Sequence, residues 1–263
     1  MSNGLITLTT DFGAADHFVG AMKGVILSIA PRARIVDITH HISPYQFGEA
    51  GFVIAQSWQW FPKGTVHVVV VDPGVGSTRR PILVEAGGHF FIGPDNGVFS
   101  MIYAAAPHKV RVITNAKLMG AQISRTFHGR DVFAPAAAHL AKKTPAARFG
   151  KLVHDYLRAS SFLPSQLAKH RWSGTILKTD RFGNLITNFH IDQFEQVKTR
   201  PFELRTGLEP IRRLALTYAE TEIGELFAIV GSSGYLEIAA NQDNAAQKLG
   251  CSTGASIELE IFY

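Results

Sequence analysis

The sequence predicts an N-terminal α/β domain, with a mixed, largely parallel sheet flanked by helices, followed by a C-terminal all-β domain resembling a barrel. Three observations predict it. As far as Lys143, apolar residues at helical spacing alternate with short β-rich runs. The run Val66 to Val71 (VHVVVV) is almost wholly apolar, as a central strand covered on both faces must be. Beyond Arg171, short strands with Gly-rich punctuation take over.

In chain order, Leu5 to Thr9 is a strand ending in Thr10-Asp11-Phe12-Gly13. Phe18, Met22, Val25, Ile26 and Ile29 then keep helical spacing until Pro31 stops them. Arg34 to Asp37 is the second strand, and Phe47, Ala50, Gly51, Ile54, Ala55 and Trp58 form a second amphipathic helix closed by Pro62. Ile82 to Glu85 and Phe90 to Ile92, joined by Ala86-Gly87-Gly88-His89, make a hairpin, so the sheet is mixed. Gly97 to Ala106, Val110 to Ile113 and Val132 to Lys143 add a helix, a strand and a helix. Between Lys143 and Arg171 the period is lost around Pro145, Ser160, Ser161 and Pro164. The boundary is placed there, giving domains 1–165 and 166–263. Trp172 to Thr179, Asn184 to Asn188, Phe202 to Leu204, Leu214 to Thr217, Leu226 to Val230, Leu236 to Ala239 and Ser256 to Phe262 are the later strands. Asn244 to Leu249 is the helix among them.

With 263 residues, 46% hydrophobic and 18% charged, the chain affords a core without staples. The net charge of +5 is scattered, with Arg79-Arg80 and Arg212-Arg213 the only adjacent arginines, whereas a nucleic-acid surface wants a concentrated stripe. Cys251 stands alone, which excludes an internal disulfide and suits a reducing cytoplasm. Met1 to Thr10 lacks the pattern of a secretory leader, and no apolar run approaches the roughly 18 residues of a membrane span. A soluble, cytoplasmic protein is expected. His40-His41 is not spaced for chelation and HExxH and CxxC are missing, so no metal site is expected.

Ligands of doubly wound sheets bind beyond the carboxyl ends of strands, which directs attention to Asp11, Asp72 and Asp95-Asn96. Asp11 can cap the following helix or accept hydrogen bonds from a ribose diol. Asp72 and Arg79 flank Pro73-Gly74-Val75-Gly76, a tight loop without the Gly-Lys-Ser/Thr ending of a nucleotide triphosphate cradle. They form either a structural ion pair or part of a site. His128 precedes Gly129 in a polar loop opening a helix, where a neutral imidazole can accept a proton; a solvated or core-satisfied histidine reads the same. Asp180, Phe182 and Asn184 lie in a segment that is a hairpin turn or a purine-binding one, Phe182 stacking and Asn184 pairing. Gly231-Ser232-Ser233-Gly234-Tyr235-Leu236-Glu237 is strand punctuation or a site for a zwitterion.

Seven stretches together resemble the S-adenosyl-L-methionine hydroxide adenosyltransferases, relatives of the fluorinases and chlorinases. They are Thr9 to Gly13, Met22-Lys23-Gly24, Ile35 to His40, Val71 to Gly76, Gly93 to Gly97, Phe182 to Asn188 and Gly234 to Ala239. The resemblance implies hydrolysis of S-adenosyl-L-methionine to adenosine and methionine by water at ribose C5′, in a homotrimer with sites between subunits and no cofactor. It implies catalytic roles for Asp72, Arg79 and His128, and substrate contacts by Asp11, Asp180, Phe182, Asn184, Ser232, Tyr235 and Glu237. It leaves contacts at Tyr45 and Ser233 open. The alternatives are a halide-dependent adenosyltransferase and a sensor that binds without turnover. Glu85 to His89 is too short for the loop that halogenating relatives insert, which favours the hydrolase.

Overall fold

The structure, a computed structural model, describes residues 4–207 and 209–263; Met1 to Asn3, part of the segment read above for a leader, and Leu208 lie outside it. Internal contacts divide the chain between Ala159 and Ser160.

The first unit runs β1 (Leu5–Thr10), α1 (Phe18–Ile29), β2 (Arg34–Thr39), α2 (Phe47–Ser57), β3 (Val66–Val70), β4 (Pro81–Ala86), β5 (His89–Pro94), α3 (Ser100–Ala105), β6 (His108–Val112), α4 (Ala134–Ala141) and β7 (Leu152–Val153). Its seven-stranded sheet has the order β2-β1-β3-β5-β4-β6-β7. The pairs β1–β2, β1–β3 and β3–β5 are parallel, and β4 reverses against both β5 and β6. Val66, Val68 and Val70 of β3 face a core shared with α1 and α4, while Val69 and Val71 face a second core shared with α2 and α3. The apolar run is thus a central strand buried on both faces. His67 within it is satisfied by Thr7 Oγ1 at 2.8 Å and His89 Nδ1 at 3.2 Å, and burial drives its pKa down to about 3. The β4–β5 hairpin turns on Gly87 and Gly88, both at positive φ (58° and 84°), the backbone of a two-residue turn.

Strand order reverses between β1 and β3. The chain leaves β1 toward β2 on one side and leaves β3 toward β5 on the other, opening a crevice at their carboxyl ends. Asp11 and Asp72 stand there.

Two helices differ from expectation. The segment from Gly97 becomes helical only at Ser100. The expected helix from Val132 is a π turn at Gly129–Phe133 followed by α4 from Ala134. Pro135 is the cause: it has no N–H for the carbonyl of Asp131, which Gly120 N takes instead at 2.7 Å, while Ala134 N reaches back to Gly129 O.

The second unit holds β8 (Ser165–Ala168), β9 (Arg171–Thr179), β10 (Leu185–His190), β11 (Phe202–Arg205), β12 (Pro210–Ile211), β13 (Leu214–Ala215), β14 (Leu226–Val230), β15 (Tyr235–Ala240), α5 (Ala245–Leu249) and β16 (Ser256–Ile261). Its nine strands follow the path β12-β11-β16-β9-β10-β15-β14-β13, with β8 paired to β9. β12 and β13 end that path, yet only Arg212 and Arg213 separate them in the chain. Two residues span roughly 10 Å at most, so the sheet curls back on itself, as the barrel-like expectation requires. β9 makes the corner, pairing through Thr175 with β16 and from Ile176 with β10. The expected strand Leu214 to Thr217 stops at Ala215. Among the described residues no helix is long and apolar enough to cross a membrane.

Candidate active site

Two successive turns carry the chain from Asp72 back over itself. Val75 N donates to Asp72 O, Ser77 N and Oγ to Gly74 O, and Arg79 N to Ser77 Oγ. Gly76 is obligatory within them: its φ is +76°, and a Cβ would stand 2.2 Å from the carbonyl oxygen of Arg125. Arg79 thereby returns to Asp72, donating Nε to Oδ1 at 3.0 Å and Nη2 to Oδ2. Nη2 also lies 2.9 Å from Nδ1 of His128, so Asp72, Arg79 and His128 form one cluster. The Arg79 and Asp72 side chains are only 7% and 5% exposed, and Phe133 of the π turn lies under the guanidinium at 5.4 Å.

The loop presenting His128 is organised by Asp131, whose carboxylate accepts from Ser124 N and from Arg130. Burial, reinforced by the Arg79 charge, holds the His128 pKa below its ordinary value, so the ring is neutral near pH 7. A guanidinium only donates, so Nδ1 accepts and the neutral ring carries its proton on Nε2. As held, His128 presents a donor.

Asp11, Asp72, Val75, Phe127 and His128 share a cavity of about 360 Å3 with Asp16 and Tyr45. Asp11 does not cap α1: the N-cap is His17, with no side-chain bond, and Asp11 Oδ2 accepts from Tyr45 N at 3.0 Å. Burial raises the pKa of Asp11, with the nearby charge of Asp72 adding to it against the hydrogen bond from Tyr45 N. Tyr45 is 71% exposed and sits at φ +67°, a conformation costly for a bulky residue.

The second unit builds its own cluster. Asp180 Oδ1 accepts from Phe182 N and Asn184 N, a local turn that leaves the Phe182 ring 78% exposed. Asn184 Nδ2 donates to Asp180 Oδ2 and to the hydroxyl of Tyr218, which leaves its carbonyl oxygen to offer a ligand. Phe182, Asn184, Tyr218 and Asn244 line a cavity of about 670 Å3. Glu237 is buried with its carboxyl against Gly231, where any Cβ would collide with it. Burial, with the Asp180 charge, pushes its pKa up to about 7. Ser232 lies in the β14–β15 turn and Tyr235 is the first residue of β15; like Asp180 and Glu237, neither lines that cavity, and the Tyr235 ring packs edge-on against His190.

The Glu237 shift has a thermodynamic consequence. The folded protein keeps this proton to higher pH than the unfolded chain, whose carboxyl titrates near 4.5, so stability is lost as pH rises from there through about 7. The full penalty is of order 3 kcal/mol. Glu237→Gln is expected to flatten the decline in Tm between about pH 5 and 8. An unchanged slope would show that Glu237 ionises normally.

The sequence reading missed Tyr218, which sits in a loop with no motif, and Asn244, which it saw only as a helix start. Among the described residues no three His, Cys, Asp or Glu side chains converge as a metal site would need.

Residues 6–150 match the family model described as SAM hydroxide adenosyltransferase N-terminal domain, and residues 174–258 match its C-terminal counterpart. The chain is 38% identical to the (R)-S-adenosyl-L-methionine hydrolase of Salinispora tropica, covering 95% of each chain. It is 26% identical to a fluorinase of Nocardia brasiliensis over 98% of this chain and 97% of that one. A crystal structure of an uncharacterized conserved protein from Thermotoga maritima superposes with a TM-score of 0.87 at 35% identity, covering 97% of this chain and 99% of that one.

Proposed function

The chain belongs to the SAM hydroxide adenosyltransferase family, and from that premise we infer that it hydrolyses S-adenosyl-L-methionine to adenosine and L-methionine. Water attacks ribose C5′, the C5′–S bond breaks, the sulfur keeps the electron pair as a neutral thioether, and one proton is released. A sulfonium leaves without protonation, so the reaction as written asks for no acid at sulfur and no cofactor. It asks for an aimed, activated water.

The observation supporting this reading is the Asp72–Arg79–His128 cluster, of which Asp72 and His128 line the same cavity as Asp11. With His128 carrying its proton on Nε2, Asp72 is the group that receives the proton of water, and His128 orients the nucleophile by donating to it. Arg79 fixes the carboxylate and favours hydroxide character. Asp11 takes the ribose hydroxyls. Asn184 and Phe182 hold adenine by its edge and face, while Asp180, Ser232, Tyr235 and Glu237 receive the methionine end. No carboxylate belongs beside sulfur, because charge there is lost in the transition state and an acid would stabilise the ground state more.

The two sets of residues meet, in this proposal, between neighbouring subunits of a homotrimer. A species with the mass of one chain, 28.7 kDa, in solution would exclude that. A reducing cytoplasm suits the single free thiol of Cys251. The test of the reaction is turnover in oxygen-labelled water containing chloride. The expected result is label in the 5′-hydroxyl of adenosine and no 5′-chloro product. Unlabelled adenosine would overturn direct attack, a halogenated product would mean a halide-dependent transferase, and binding without turnover would mean a sensor.

A further inference from the structure

Two of the family-like stretches, Met22-Lys23-Gly24 and Ile35 to His40, contribute no residue to the cavity lined by Asp11, Asp72 and His128. Their polar side chains are nevertheless joined. Lys23 Nζ of α1 donates to Asp37 Oδ2 at 2.5 Å. Asp37 Oδ1 stands 3.1 Å from His40 Nε2, off the axis of a linear hydrogen bond. His40 Nδ1 lies 2.9 Å from Thr10 Oγ1, and that hydroxyl accepts from Phe12 N at 3.2 Å. The row runs from a surface ammonium to the amide next to Asp11.

The chemistry of the row allows one arrangement of protons in the neutral ring. A carboxylate accepts only, so the nitrogen facing Asp37 carries the hydrogen. Nδ1 is then an acceptor, Thr10 donates its hydroxyl hydrogen to it, and the Thr10 oxygen is left to accept from Phe12 N. Thr10 is wholly buried and the His40 side chain is 10% exposed, so neither exchanges these partners freely for water. The same two loops are stitched by backbone as well: Gly13 N donates to His40 O at 2.8 Å and Ile42 N to Thr10 O at 3.3 Å. Tyr45 N completes the seam by donating to Asp11 Oδ2.

We propose that Lys23, Asp37, His40 and Thr10 are positioning residues that hold the turn Thr10-Asp11-Phe12-Gly13 so that the Asp11 carboxylate meets the ribose diol of the substrate. The inference rests on the reading of Asp11 given under Proposed function. None of the four acts on the reacting atoms; they fix where a substrate-binding carboxylate points. The Lys23–Asp37 pair is about a third exposed and is worth little as stabilisation, so its part is to orient the imidazole.

Steady-state kinetics on the full chain test it. Thr10→Val keeps the shape of the side chain and removes both hydrogen bonds. It is expected to raise KM for S-adenosyl-L-methionine about tenfold with kcat within about twofold, and Thr10→Ser is expected to restore KM. His40→Asn places an acceptor where Nδ1 lies and is expected to keep KM. His40→Gln extends to the Nε2 position, deserts Thr10 and is expected to raise KM as Thr10→Val does. A merely structural role would lower Tm without this split between the two His40 variants, and the His40 pair decides the matter if Thr10→Val does not fold. In a cycle with Asp11→Ala, the Thr10→Val effect is expected to vanish, because the carboxylate being positioned is gone. KM unchanged in Thr10→Val and in His40→Gln, with Asp11→Ala impaired, overturns the positioning row alone, as does an additive cycle. KM unchanged in Asp11→Ala overturns the ribose reading and the row with it.

Discussion

Asp72→Asn is expected to lower kcat for adenosine release by about a thousandfold, within the range seen for loss of a positioned general base. Substrate affinity by calorimetry should change only a few-fold. The carboxylate accepts from both Nε and Nη2 of Arg79, whereas a carboxamide turns its NH2 toward one of those donors. It also removes the acceptor for the proton of water. A second effect accompanies the first. Arg79 is 7% exposed, and without its partner a buried guanidinium is uncompensated, a loss of about 3–5 kcal/mol. Asp72→Asn combined with Arg79→Met should therefore recover much of the lost stability and none of the turnover. Equal losses of kcat and of affinity in the single variant would assign Asp72 to structure, and full activity would remove it from the mechanism.

Gly183→Ala is expected to destabilise the protein by about 2–4 kcal/mol and to raise KM. Gly183 has φ +88°, and a Cβ there would stand 2.2 Å from the carboxamide carbon of Asn244. Asn244 caps α5 by accepting from Gln247 N, and Gly183 O accepts from Ala246 N, so one methyl group disturbs both the turn of Asp180 and the start of the helix. Adding Asn244→Gly relieves the collision but leaves the backbone strain. Melting of the two variants should therefore show partial recovery. Complete recovery would locate the whole cost in the collision. No loss in the single variant would mean that the turn which holds Phe182 and Asn184 rearranges freely.

Much of this architecture was legible along the chain because its signals are local. The apolar run of β3 announces burial on both faces, and Gly87-Gly88 announces a two-residue turn; each depends on a few neighbouring residues. Pro135 was equally visible, but its consequence was not. A period near 3.6 residues does not distinguish an α start from a π turn whose vacated carbonyl is taken by Gly120. The strands β7, β8 and β12, of two to four residues, carry too few positions for any alternation to register.

The candidate site divides along the same line. Asp11 and Asp72 are found from sequence because polar residues that follow apolar strands stand at a sheet's carboxyl edge wherever the sheet ends up. The residue types of the cluster, and their order in the chain, were likewise determined by the sequence alone. The sequence left open an ion pair or part of a site at Asp72 and Arg79, and a proton-accepting, solvated or core-satisfied His128; tertiary structure shows that the ion pair forms and that half-buried His128 lies against the same guanidinium. Arg79 and His128 are 49 positions apart, and only folding brings Nη2 against Nδ1. The same holds for Thr10, His40, Asp37 and Lys23, drawn together from two strands, the loop after the second and a helix. Periodicity and turn chemistry act over a few bonds. The proton carried by an imidazole, and the direction in which a carboxylate points, are set by hydrogen-bond partners that strand order and register bring from elsewhere in the chain.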